Sequence, residues 1–141
     1  MIGILLVTHG ELGAGLIDGV RIIVGEVSNI DQVPLLEELS LKEYRQRVFA
    51  KTRQLDRGKG VLVFADIYGE PPYNAARLNG KNFHQGQYQL IAGVNLPLLV
   101  NAVLKRETLN LLTLVKQLED PQEQGIVMPE YSHRQMGESS D

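Results

Sequence analysis

The fold of this chain is decided by its opening stretch, Ile2-Gly3-Ile4-Leu5-Leu6-Val7-Thr8-His9-Gly10. Residues 2–8 form a short, almost continuous apolar run with β-branched members, which is typical of a strand covered by helices on both faces. After Gly10, apolar side chains recur mostly at three- and four-residue steps, which indicates a helix. Gly25 is a residue type that commonly ends a helix. The chain is therefore expected to begin with a central strand and a helix that tolerates internal glycines.

The rest of the sequence continues this alternation of strand and helix. We expect strands at Ile30–Leu35, Val61–Ala65 and Tyr88–Ala92. Ser40 followed by Glu43 forms a capping box, which predicts a helix to about Leu55. Three more helices are expected at about residues 73–78, from Pro97 to about Arg106, and from a Thr108 cap to before Pro121. Such alternation favours right-handed βαβ crossovers and an α/β fold with a doubly wound, mostly parallel sheet and helices on both faces.

Length and composition are those of one ordinary globular domain. The chain has 141 residues, 43% of them hydrophobic and 22% charged, and we assign residues 1–128 to the domain. Residues 129–141 form a polar tail whose last residues are expected to be mobile. The apolar opening is too short for a bilayer span and lacks the features of a signal peptide, so we expect a cytoplasmic protein without direct membrane insertion.

Charge and cysteine content exclude several classes of function. The net charge of −3, with no run of Lys or Arg, argues against nucleic acid as a partner. The absence of cysteine excludes disulfides, thiolate nucleophiles and Cys-ligated metals. There is no P-loop and no Gly-x-Gly-x-x-Gly after the first strand, so nucleotide binding has no local support. The glycines of segment 11–15 fall inside the first helix, where they are expected to permit close packing.

Candidate chemistry lies where the strands end, because an open parallel sheet binds ligands beyond the carboxyl ends of its strands. That rule selects the loops at residues 8–10, 66–74 and 93–95. His9 is the one histidine placed at a strand end, whereas His84 and His133 lie in polar segments. Asp66 ends the other long apolar strand, and its carboxylate would fix the His9 tautomer if the two strands are neighbours. The alternatives are a histidine bonded to a nearby loop and an aspartate that starts a turn.

Other catalytic classes fit these residues poorly. Thr8 is expected to point to the face opposite His9, so a serine-hydrolase type of pair is not favoured. A zinc site would need several converging ligands, and only His9 and Asp66 are so placed, with Glu70 a weak third. We therefore expect no metal and no other cofactor.

Three motifs at three strand ends carry a family resemblance. They are Ile4-Leu5-Leu6-Val7-Thr8-His9-Gly10, then Gly60-Val61-Leu62-Val63-Phe64-Ala65-Asp66 leading to Gly69 and Pro72-Tyr73-Asn74-Ala75-Ala76, then Ile91-Ala92-Gly93-Val94-Asn95-Leu96-Pro97. In order and spacing, residues 1–128 resemble the enzyme IIA domain of the mannose family of the phosphoenolpyruvate-dependent sugar phosphotransferase system.

The resemblance implies a phosphoryl relay. In that scheme His9 accepts a phosphoryl group from the phosphohistidine protein HPr and passes it to an enzyme IIB during sugar uptake. Asp66 would hold the δ nitrogen of the ring and leave the ε nitrogen to carry the group. The resemblance implies phosphoryl-binding roles for the residues at these positions, namely Thr8, Gly10, Gly69, Glu70, Pro71 and Asn74.

The resemblance also implies a homodimer with a short exchanged strand, for which residues 125–128 are the candidate. One loop departs from the family: Gly69-Glu70-Pro71-Pro72 stands where members commonly have Gly-Gly-Ser/Thr-Pro. Glu70 adds a negative charge, and Pro71 removes a hydroxyl and a backbone N–H that would face phosphate. Two alternatives therefore stay open, a regulatory module controlled by phosphorylated His9 and a domain that has lost transfer.

Overall fold

The sheet of this protein has four strands, all parallel. The computed structural model describes residues 1–131, so the expectations for His133 and for the last residues of the tail fall outside the described chain. The strands are β1 Gly3–His9, β2 Ile30–Leu35, β3 Val61–Ala65 and β4 Tyr88–Ala92. Their order across the sheet is β2-β1-β3-β4. Because the order reverses beside β1, the sheet is doubly wound, and the predicted fold class is confirmed.

Five α-helices connect and flank the strands. They are α1 Leu12–Val24, α2 Leu41–Leu55, α3 Pro71–Asn79, α4 Leu96–Lys105 and α5 Leu111–Leu118. Short 3₁₀ turns follow at Gly80–Asn82 and Pro121–Gln124. As predicted, Ser40 caps α2, its Oγ accepting the Glu43 N–H at 3.1 Å, and Gly25 ends α1.

The core lies on both faces of the sheet because successive side chains of a strand alternate. In β1, Ile4 and Leu6 face a layer that includes α1, α4 and α5. Leu5 and Val7 face the other layer, with α2 and α3. All four of these side chains are fully buried, so β1 is the central strand that its apolar run predicts.

Several predicted boundaries were wrong. Helix α3 begins at Pro71, not near residue 73, because Pro is tolerated in the first turn of a helix. Asn110, not Thr108, caps α5, and its Oδ1 accepts the Thr113 N–H at 2.9 Å. Residues 126–128 are exposed and form no strand in the single described chain. The exchange predicted for residues 125–128 involves a second chain and stays a prediction.

The internal glycines of α1 do not all have the predicted packing role. A Cβ at Gly13 would lie 2.8 Å from Thr8 Oγ1, and one at Gly19 would lie 3.2 Å from Leu96, whereas Gly15 has nothing within 4 Å. Close packing is therefore the role of Gly13 and Gly19 only. Within residues 1–131, none of the helices has both the length and the apolar character needed to cross a membrane.

Candidate functional site

The site is built where β1 and β3, neighbours in the sheet, reach its carboxyl edge. His9 is the last residue of β1 and Asp66 directly follows β3. The Nδ1 atom of His9 lies 2.7 Å from Asp66 Oδ2, and the His9 backbone N–H donates to the same oxygen at 2.8 Å. A pair separated by 57 positions in the sequence is thus brought into direct contact.

The hydrogen bond fixes which ring nitrogen is free. A carboxylate only accepts hydrogen bonds, so Nδ1 carries the proton and donates it to Asp66. The Asp66 side chain is 7% exposed and the His9 side chain 42%. Within the described chain Nε2 has no hydrogen-bond partner, so a half-exposed ring presents a free lone pair at this atom.

Gly10 turns the chain away from the His9 ring. Its φ is +56°, a left-handed conformation that side chains other than glycine rarely adopt. Its N–H donates to the Leu35 carbonyl at 3.0 Å, which ties the turn to β2. A Cβ at Gly10 would meet nothing within 4 Å, so the space above the turn is open. This arrangement leaves room for a partner beside the ring.

Thr8 lies on the other face of β1, as predicted. It is fully buried, and its Oγ1 accepts the Gly13 N–H at 3.0 Å. The hydroxyl therefore contacts α1 and not the space around the ring.

The loop after β3 places the remaining predicted phosphoryl-binding residues at the start of α3. Asp66 Oδ1 accepts the Ile67 N–H, and Asn74 Nδ2 donates to the Gly69 carbonyl at 2.9 Å. Glu70 is the N-cap residue and makes no side-chain capping bond. Pro71, the next residue, and Pro72 after it have no N–H. Two backbone donors that a helix start normally offers to an anion are therefore missing here.

The third predicted loop, residues 93–95, stabilises the neighbouring elements. Asn95 Oδ1 accepts the Leu98 N–H at 2.8 Å and caps α4, while its Nδ2 donates to the Gln124 carbonyl at 2.9 Å. Gly93 and Val94 donate to the Ala65 carbonyl. These contacts hold the end of β4 and the 3₁₀ turn at Pro121–Gln124 in place.

The edge around the site is acidic and partly apolar. Exposed carboxylates occur in the loops at this edge, namely Glu11, Glu37, Glu38 and Glu70. Leu12, Ile67 and Tyr68 are 47%, 53% and 76% exposed. Among the surface cavities of the described chain, five of about 250 to 580 Å³ lie elsewhere and are lined by neither His9 nor Asp66.

Two aromatic features of this region were not predicted. Tyr68 and Tyr73 form a pair with ring centroids 4.8 Å apart. Burial, and to a smaller extent the charge of Asp66, raises the pKa of Tyr44, which donates to the Val33 carbonyl at 2.8 Å. Tyr44 follows the apolar period of α2, so its sequence signal is that of a core residue.

In residues 1–131 no three His, Asp or Glu side chains cluster as a metal site would require.

Comparison with known proteins decides the family. Residues 3–119 match the family model described as the PTS system fructose IIA component. The chain belongs to the mannose/fructose-type enzyme IIA family of the sugar phosphotransferase system. This enzyme IIA chain is 29% identical over 128 residues to the fructose-specific EIIA component of Bacillus subtilis (strain 168), covering 89% of this chain and 85% of that protein.

Another relative is longer than this enzyme IIA chain. The mannose-specific EIIAB component of Escherichia coli (strain K12) is 32% identical over 107 residues, which cover 75% of this chain and 32% of that protein. The chain thus spans about a third of the length of this relative.

Solved structures agree in fold. An EIIA component from Streptococcus agalactiae superposes with a TM-score of 0.82 at 24% identity, covering 91% of this chain and 97% of that one. A mannose/sorbose-specific IIA subunit from Enterococcus faecalis gives 0.80 at 22% identity, covering 94% and 97%.

Proposed function

We propose that this chain is a cytoplasmic phosphoryl carrier of sugar uptake, which accepts a phosphoryl group from HPr on His9 Nε2 and passes it to an enzyme IIB. The observation that carries the proposal is the 2.7 Å contact between His9 Nδ1 and Asp66 Oδ2, with the ring half exposed. Family membership supports phosphoryl transfer as the class of reaction. The hydrogen bond of Nδ1 to Asp66 supports Nε2 as the nitrogen that accepts the phosphoryl group.

The transfer step needs no group beyond these two side chains. The Nε2 lone pair forms a bond to phosphorus as the bond from phosphorus to the donor's histidine nitrogen breaks. The His9 ring then gains positive charge, which the Asp66 carboxylate stabilises through Nδ1–H. In the second transfer the bond from Nε2 to phosphorus breaks as an acceptor imidazole attacks. Positioning and charge stabilisation are therefore the contributions of the protein.

The surroundings of His9 favour protein partners over a small substrate. Ligands of drug size normally occupy concave pockets. The His9 ring is instead half exposed, and the space above Gly10 is open. Exposed Leu12, Ile67 and Tyr68 offer apolar contact area at the same edge. An open reaction centre with exposed apolar neighbours suits docking of one protein after another.

Dimerisation belongs to the same proposal. Ile126, Val127 and Met128 are 75%, 77% and 85% exposed in the single chain. Gly125, at φ +73°, ends the 3₁₀ turn that Asn95 and Asn101 hold, and this segment follows it. We propose that residues 125–128 pair with a second copy of the chain, because consecutive exposed apolar residues are costly to leave in water.

A second candidate is a regulatory module whose phosphorylated His9 controls a protein partner. The start of α3 favours it, since Glu70 adds a negative charge where Pro71 and Pro72 remove two donors. A phosphoryl group would have fewer partners there than at an ordinary helix start.

The test incubates the full chain with enzyme I, HPr and labelled phosphoenolpyruvate. Wild type is expected to take up acid-labile label, His9→Ala none, and the exposed-histidine control His84→Ala as much as wild type. No uptake by wild type, or equal uptake by His9→Ala, would contradict the carrier function. Adding enzyme IIB separates the candidates: a carrier loses its label to enzyme IIB, whereas a regulator retains it.

A further inference from the structure

The Thr8 hydroxyl forms a direct link between β1 and α1. Thr8 is fully buried, and its Oγ1 accepts the Gly13 N–H at 3.0 Å. Side chains of a strand alternate between faces, so this hydroxyl and the His9 ring leave β1 on opposite sides. Thr8 directly precedes His9 in the chain. Its hydroxyl nevertheless cannot bind a phosphoryl group carried by the His9 ring.

The link replaces a missing helix cap. Glu11, the N-cap residue of α1, has φ −90° and ψ 6° and makes no side-chain capping bond. The first N–H groups of a helix have no partner inside the helix and are usually satisfied by the N-cap side chain. Here Thr8 satisfies one of them from the preceding strand.

Gly13 is fitted closely to this arrangement. A Cβ at Gly13 would lie 2.8 Å from Thr8 Oγ1 and 2.9 Å from Gln32 Oε1. Gln32 Oε1 is itself buried and has no hydrogen-bond partner within the described chain. Only the bare backbone of a glycine can approach β1 and β2 so closely.

The consequence for His9 follows from how its peptide is held. The Asp66 carboxylate bonds both the His9 N–H and the ring, and the Gly10 N–H bonds the Leu35 carbonyl. Only Gly10 and Glu11 separate β1 from α1. Apolar side chains such as Val20 pack the body of α1 against the sheet, and the Thr8–Gly13 hydrogen bond fixes its first turn to β1. We expect loss of this bond to let the turn that carries His9 shift relative to Asp66.

We propose that Thr8 is a positioning residue for phosphoryl transfer: by capping α1 from the end of β1, its hydroxyl keeps the His9 ring aligned with Asp66 and Nε2 aimed at the partner. This role rests on the proposed carrier function. It replaces the phosphoryl-binding role that the family resemblance implies for Thr8.

The test compares Thr8→Val, which keeps the shape but removes the acceptor, with Thr8→Ser, which keeps the hydroxyl. Misplacement of a reacting group by about 1 Å lowers rates by roughly 10²-fold. We expect Thr8→Val to fold and to accept phosphoryl from phospho-HPr roughly tenfold or more slowly, with kcat lowered and KM unchanged. Thr8→Ser is expected to stay within about twofold of wild type, because the hydroxyl alone restores the cap.

Nitrogen NMR of the His9 ring gives a readout that does not depend on transfer. Wild type and Thr8→Ser should show a protonated, hydrogen-bonded Nδ1, and Thr8→Val should show a mixture of tautomers. A wild-type rate for Thr8→Val, or a rate for Thr8→Ser as slow as that of Thr8→Val, would overturn the proposal. If Thr8→Val does not fold, Thr8→Ala gives the same comparison. If wild type takes up no phosphoryl group, the carrier function fails, whereas unchanged ring spectra in Thr8→Val refute the positioning role alone.

Discussion

At the scale of the residue, one oxygen of Asp66 controls both the position and the proton of His9. Oδ2 accepts the backbone N–H at 2.8 Å and Nδ1–H at 2.7 Å, and Oδ1 accepts the Ile67 N–H at 3.0 Å. The carboxylate is thus fixed by its own loop while it fixes the histidine. A hydrogen bond to a charged group contributes about 1.5–3 kcal/mol.

Replacing the carboxylate tests this control. We expect Asp66→Asn to accept phosphoryl from phospho-HPr about 10–100-fold more slowly, the rate equivalent of one charge-assisted hydrogen bond. The measurement is the single-turnover rate of label uptake, with Asp56→Asn as a control at a loop carboxylate that bonds Gly58 and Gly60. An unchanged rate in Asp66→Asn would remove Asp66 from the mechanism.

The His9–Asp66 pair could be predicted from the sequence because parallel strands end at one edge of a sheet, and each residue follows an apolar run. The sequence could not predict that Oδ2 accepts both the backbone N–H and the ring, nor that Thr8 caps α1. Both features depend on distances between strands and helices, which no local pattern encodes.

At the scale of the element, helix ends are set by individual polar side chains. Ser40, Asn95 and Asn110 each accept an N–H from the first turn of the following helix. The sequence predicts the first of these from its spacing to Glu43. It misplaces the start of α5, because Thr108 and Asn110 are both acceptable caps and the packing of Leu111, which is 2% exposed, selects the second.

Removing the observed cap should therefore cost stability, and removing the predicted one should not. Asn110→Ala is expected to lower the free energy of unfolding by about 1 kcal/mol, and Thr108→Ala by clearly less. Urea unfolding followed by circular dichroism measures both. Equal losses, or a larger loss for Thr108→Ala, would place the start of α5 elsewhere.

The start of α3 departs from the pattern that the family resemblance implies. Changing Glu70→Gly together with Pro71→Ser removes a charge and restores one N–H and one hydroxyl. We expect phosphorylated His9 to hydrolyse about two- to fivefold more slowly, as interactions of 0.3–1 kcal/mol with the helix start imply. The half-life of the labelled protein is the measurement, and Glu38→Gly is a control for loss of charge alone. A half-life that does not lengthen would show that this loop does not contact the phosphoryl group.

At the scale of the whole molecule, length and composition predict one domain, and the alternation of strands and helices predicts its α/β class and its winding. Arg106 shows what escapes such a prediction. It stands at the expected end of α4, yet it is 4% exposed and donates to the carbonyls of Ile2 and Asn29, more than 70 positions away in the chain. Burial lowers the pKa of its guanidinium. Only the folded structure shows that this charged residue connects the segments that directly precede β1 and β2.

The exposed segment after Gly125 is expected to mediate dimerisation. Analytical ultracentrifugation of the full chain is expected to show a dimer, and Ile126→Glu with Val127→Glu to shift it to monomer. Ile22→Glu is the matched control, since Ile22 is 73% exposed on α1, outside this segment. A monomeric wild type, or a dimer that survives the double substitution, would refute exchange of this segment.

We propose that His9 carries the phosphoryl group on Nε2 while Asp66 holds Nδ1. Phosphorus and nitrogen NMR of the phosphorylated chain, labelled with ¹⁵N in histidine, tests it most directly. We expect a single phosphohistidine, with phosphorus coupled to Nε2 of His9 and a proton retained on Nδ1. Coupling to Nδ1, or to the nitrogen of another histidine, would contradict it.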